Sequence, residues 1–216
     1  MKVISTVYPE IGEGMVIVIR HGGEGSGFSK EAGHKGRPGE VGGSSSSEGE
    51  LVNISDIDDK EIEEKIKKIC SKTNFSYDKI YMSKKISTVL GEYKTETDYI
   101  VLSPNAMGES LEGVLVHEIA HAQSADILKE YFNQRQTGGG DIFKALSGRV
   151  SDVVGDDGYF TEYVTHFSKN FEEVPTIQNR FFLVSEGYAE SRRMEYEGKE
   201  YPQSWKDLHD TIMGLK

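Results

Sequence analysis

The chain has 216 residues, enough for one compact domain with appendages, and its single cysteine, Cys70, rules out an internal disulfide. Only 36% of the residues are hydrophobic and 24 are glycine, so part of the chain contributes little to a core. A formal net charge of -11 leaves no basic excess to neutralise phosphates, which argues against a nucleic-acid partner, and no apolar run approaches the roughly 18 residues of a membrane span.

Residues 1–20 hold two short apolar runs, Val3–Tyr8 and Met15–Arg20, around a turn from Pro9 to Gly14. They predict a β-hairpin that needs a partner surface, because a two-stranded hairpin is marginal alone. Residues 21–50 are rich in glycine and serine and read as a flexible linker. Gly25-Ser26-Gly27 is not a phosphate loop, since no Lys-Ser/Thr pair opens a helix after it. Residues 51–216 carry the periodic patterns of a folded domain.

A helix is expected over Ile54–Thr73, capped by Ser55 or Asp56, with Ile62, Ile66, Ile69 and Cys70 on one buried stripe. Cys70 then reads as an inert buried thiol, and a lone cysteine suits a reducing compartment. Three strands follow at Lys79–Ser83, Ser87–Lys94 and Asp98–Ser103. Gly91 inside the second suits an edge strand or a bulge, and Tyr99-Ile100-Val101-Leu102 suits a buried one. Ser103-Pro104-Asn105 breaks the pattern before the next helix.

That helix contains His117-Glu118-Ile119-Ala120-His121, an H-E-x-x-H pentad, among Leu111, Val114, Leu115, Val116 and Ala122. Residues four apart share a helical face, so His117 and His121 can aim two imidazoles at one metal ion. Glu118 lies beside the same point, close enough to take a proton from a metal-activated water. A polar triplet on an apolar helix is costly unless something pairs it.

Residues 129–180 read as helical pieces hinged at Gly138-Gly139-Gly140 and Gly155-Asp156-Asp157-Gly158. The second hinge is a plain turn, because a calcium loop needs more regularly spaced oxygens. A further helix covers Ser185–Met194, reaching toward Glu197 with Gly198 as its stop. Glu186 and Glu190 share its face and repel unless a cation stands in front of Glu186. Glu190 would then accept a hydrogen bond from the far nitrogen of a ligand histidine. The bland alternative is a solvated acidic face beside Arg192 and Arg193. Asp126, Asp141 and His166 are rival third ligands. The tail holding Pro202, Trp205 and Leu208 reads as a short docking helix, with Trp205 a core anchor.

The two motifs together resemble the gluzincin metallopeptidases, which carry H-E-x-x-H on one helix and a glutamate ligand on a second. Ser185-Glu186-Gly187-Tyr188-Ala189 is close to the string that opens with that glutamate in the one-zinc aminopeptidases. The resemblance implies an α+β, zincin-like domain with a small mixed sheet and an edge strand over the active-site helix. It implies Zn2+ on His117, His121 and Glu186, with Glu118 as general base and Glu190 behind a ligand histidine. It also implies a peptide or protein substrate lying along the edge strand. The spacing from His121 to Glu186 is much longer than is usual in those families. They also place an oxyanion-stabilising His or Tyr after the glutamate, and here Tyr196, Tyr201 and His209 remain open.

Gly33-His34-Lys35-Gly36-Arg37-Pro38-Gly39-Glu40-Val41-Gly42-Gly43-Ser44 resembles a short glycine-rich element of tailed-phage structural and head-morphogenesis proteins. It implies a phage-encoded protein in the host cytoplasm or carried in the virion, with capsid or portal proteins as partners of the N-terminal segment. No signal peptide is expected, since the first residues lack an apolar core and a small-residue cleavage site. The alternative function is non-catalytic: a zincin-fold virion, structural or binding module.

Overall fold

The computed structural model describes residues 50–84, 89–108, 110–155 and 161–215. The expected hairpin, nearly all of the linker with its phage-like string, and residues 156–158 of the acidic turn lie outside them. The described residues form an α+β fold, mostly helical, with a small mixed sheet of four strands.

The sheet comprises β1 (Leu51–Asn53), β2 (Ile80–Ser83), β3 (Gly91–Lys94) and β4 (Tyr99–Leu102) in the order β1-β2-β4-β3. β2 and β4 run parallel, with Ile80 opposite Ile100, while β1 and β3 pair antiparallel on the two sides. β3 is thus an edge strand, as its glycine foreshadowed. The reversal from β3 into β4 uses Asp98 at φ 54°, a left-handed position that aspartate tolerates. β1 was not anticipated, since its three residues carry too little pattern to register.

The first helix, α1 (Lys60–Thr73), starts later than expected. Asp59 caps it by accepting from the amides of Glu61 and Ile62. Ile54–Asp56 instead forms a single 3-10 turn capped by Asn53, so neither Ser55 nor Asp56 is the helix cap. Ile66, Ile69 and Cys70 are buried as the stripe required.

The pentad helix, α2 (Leu111–Thr137), is 27 residues long and ends on Gly138 in the left-handed conformation. It is followed by α3 (Asp141–Gly155), α4 (Glu162–Glu173), α5 (Ile177–Tyr196) and α6 (Gln203–Gly214). α5 begins well before Ser185, and Gly198 at φ 70° lies just past its end. No helix among the described residues is long and apolar enough to cross a membrane.

α2 is the wall between two cores. On one side Leu115 and Ile119 pack with Ile66, Ile69, Ile80, Ile100 and Leu102 from α1 and the sheet. On the other, Ala120, Leu128 and Phe132 pack with α3, α5 and α6 through Leu146, Val184, Trp205 and Leu208. This is why the middle of α2 is apolar on nearly every side, and why its polar residues end up between two dry layers. Trp205 is 1% exposed and seats on Gly187, where any Cβ would lie 2.1 Å from its ring. α6 therefore closes on the side of α5 that Gly187 and Tyr188 occupy.

Candidate metal centre

α2 and α5 pack closely along their lengths, and that contact assembles the site. His117, Glu118, His121 and Glu186 are each at most 2% exposed. One ligand atom from each of His117, His121 and Glu186 lies within 4.8 Å of the others. The His117 and His121 Nε2 atoms are 3.1 Å apart, and Glu186 Oε2 is 3.3 Å from the first and 3.4 Å from the second. Three donors bound at about 2.0–2.1 Å and tetrahedral angles sit about 3.3–3.4 Å from one another. The donor triangle therefore fits a small divalent cation without rearrangement. Asp126 and Asp141 are exposed, and His166 pairs with Asn170 at 3.0 Å, so none of these rivals joins the group.

Each ligand is oriented from behind. Ser185 Oγ lies 3.1 Å from His121 Nδ1, which turns Nε2 toward Glu186. Glu190 Oε2 faces His117 Nδ1 at 3.6 Å. Glu190 is in turn gripped by Arg193, whose Nε and Nη2 donate to its two oxygens at 2.8 and 2.7 Å. The acidic face of α5 is thus buried and paired rather than solvated. Tyr163 of α4 donates its hydroxyl to Glu186 Oε2 at 2.7 Å, and its ring stands edge-on to His117 at 5.7 Å between centroids. Ser185 and Tyr163 had no role in the sequence reading. Tyr163 precedes Glu186 by a helix and a turn, so no spacing rule links them.

Glu118, next to His117 on α2, also reaches the sheet edge. Its Oε2 accepts the Tyr93 amide of β3 at 3.0 Å, while its Oε1 is buried with no hydrogen-bond partner. β3 comes this close because residue 91 is glycine: a Cβ there would lie 2.7 Å from Val114 Cγ1 and 2.9 Å from Glu118 Cγ.

The electrostatics describe a site organised for positive charge. Burial disfavours ionisation of Glu186, but His121 and the hydrogen bonds from both imidazoles outweigh it and hold the carboxyl well below its usual range. Burial also works against a charged His117, yet its hydrogen bonds to Glu186 and Glu190 push it up to about 9. His121, with less compensation, is shifted down by burial. His117 thus favours its protonated form beside an ionised Glu186, a positive charge next to the point a cation would take. Glu118 is raised to about 8, by burial first and then by nearby Glu186, against the pull of His117.

The three residues left open for oxyanion stabilisation lie elsewhere. Tyr196 is ten residues along α5 from Glu186, a rise of about 15 Å, and Lys72 covers its ring at 5.0 Å. Tyr201 packs against the helical core under Lys206. His209 stacks on Tyr188, two residues from Glu186 and hence on the opposite face of α5, and its Nδ1 meets Asp210 at 3.1 Å. For Tyr201 and His209 the reason is topological: after Gly198 the chain turns behind α5, away from the metal face.

No protein-family model matches the chain, and no curated protein and no solved structure matches it either.

Proposed function

We propose that this protein is a zinc-dependent peptidase of the zincin type, with His117, His121 and Glu186 as metal ligands and Glu118 as general base. The observation that carries the reading is the donor triangle, with edges of 3.1, 3.3 and 3.4 Å, beside a buried carboxylate oxygen that has no partner. Zinc bound there would supply a Lewis acid for a water and for the scissile carbonyl. Glu118 Oε1 is the base that accepts the water's proton and returns it to the leaving amine. The Tyr93 amide holds its other oxygen, which leaves Oε1 free to take a proton. The edge of β3 is where an extended peptide would pair by backbone hydrogen bonds. The glycine-rich string at residues 33–44 supports a phage setting, with a virion or host protein as substrate and capsid or portal proteins as partners of the N-terminal segment.

A second reading has one observation in its favour. The site is almost fully buried, as structural metal sites are, and a non-catalytic module could use the metal as a staple. Glu118 argues the other way, because a staple needs no third acid beside the ligands.

The test is metal content by mass spectrometry on the wild type, His117→Ala and Glu186→Ala, followed by a peptide-library screen. About one zinc per chain, lost in both variants, and cleavage abolished by Glu118→Gln are expected. Zinc without turnover leaves the staple. No zinc after adding it back removes the metal site altogether.

A further inference from the structure

We propose that Tyr163 is a positioning residue of the metal centre, and that its hydroxyl couples metal loading to the docking of α4. The inference rests on the metal-site reading above.

α4 reaches the rest of the fold through one apolar face. Val164 is buried in the helical core, and Phe167 and Phe171 are partly buried against it. Its C-terminal end is tied to α5 by Asn179, whose Nδ2 donates to the carbonyls of Asn170 at 3.3 Å and Val174 at 2.8 Å. Its N-terminal end is tied by Tyr163, whose hydroxyl donates to Glu186 Oε2 at 2.7 Å. That oxygen is the one that faces both imidazoles at 3.3 and 3.4 Å. This donor braces the carboxylate on which the triangle depends, and it comes from a different helix than the imidazoles or the glutamate.

Hydrogen-bond partners behind metal ligands typically contribute about 10–100-fold to metal affinity. Coupling of this kind is reciprocal: if docked α4 tightens the metal, the metal tightens the docking of α4 by the same factor. The ring of Tyr163 also packs on Phe167, with centroids 5.2 Å apart, and on His117. Tyr163→Phe keeps those contacts and removes the hydroxyl alone.

The experiment uses the full chain and Zn2+ or Co2+ as probe. Metal affinity is measured by competition with a chromophoric chelator, and amide hydrogen exchange is followed across residues 161–173 with and without metal. For Tyr163→Phe, affinity falls about 10–100-fold, the Co2+ absorption spectrum shifts, and the metal-dependent protection of α4 seen in the wild type is lost. The metal-free variant keeps the wild-type circular dichroism and loses no more stability than one hydrogen bond, and the shifted Co2+ spectrum, which a packing defect away from the ligands would not produce, separates the two roles. Equal affinity and spectra in wild type and Tyr163→Phe overturn the proposal while leaving the metal site standing. A wild type that binds neither ion overturns both. If Tyr163→Leu weakens binding but Tyr163→Phe does not, the ring rather than the hydroxyl matters, and the proposal fails.

Discussion

Gly91→Ala tests the link between the edge strand and the general base. The added methyl would sit 2.7 Å from Val114 Cγ1, 2.9 Å from Glu118 Cγ and 3.1 Å from Glu118 Oε1. The closest approach is about 0.7 Å inside ordinary van der Waals contact, and Val114 is buried in the sheet-side core, so it has nowhere to go. β3 must lift, or Glu118 must swing. Overpacking of this kind costs about 1–3 kcal/mol, which for a domain this size lowers the melting temperature by about 2–4 °C per kcal/mol. Displacing a reacting group by about 1 Å can cost on the order of 100-fold in rate. Ile212→Ala is the control. It removes buried side chain from α6 in the helical core, away from Glu118 and from the metal ligands. Both variants should lose stability in thermal unfolding. In a peptidase assay below the melting transition, Gly91→Ala should lose kcat far beyond Ile212→Ala, with metal content unchanged. Equal losses of kcat in the two would refute the reasoning, since Glu118 would then not depend on the approach of β3.

Three further outcomes follow from the same geometry. Metal-free protein should lose stability as pH rises. His117, raised from 6.5 to about 9, favours folding fully below 6.5 and loses that contribution through 9, and Glu118, raised from 4.5 to about 8, adds a cost that grows between those two values, while it stays protonated in the fold. Zinc should flatten this dependence, and calorimetry in buffers of different ionisation enthalpy at pH 7.5 should show about one to two protons released on binding, from His117 and Glu118. Arg193→Met leaves the buried Glu190 carboxylate without its two-point partner. It should cost on the order of 3 kcal/mol in denaturant unfolding, and an unchanged midpoint would show that Glu190 is held by other means. Burial pushes the Cys70 thiol up to about 11. Iodoacetamide at pH 8 should therefore label it only after unfolding, and rapid labelling of native protein would contradict its place in the core.

The sequence alone determined what is periodic and local. The pentad on a helix, the paired glutamates on another, Gly91 in an edge strand, the Cys70 stripe and the Trp205 anchor all follow from spacings within one element. Tertiary structure decided what depends on how elements meet. It chose Glu186 over Asp126, Asp141 and His166 as the third donor, because α5 rather than α3 or α4 presents a carboxylate to His117 and His121. It brought Tyr163 to Glu186 and the Tyr93 amide to Glu118, contacts between residues 23 and 25 positions apart in the chain. It also left Tyr196 about 15 Å along α5 from Glu186 and set Tyr201 and His209 on the far side, because the chain beyond Gly198 turns behind α5. A helix repeat fixes which side chains share a face, but only the packing of α2 between two cores decides which face meets which partner.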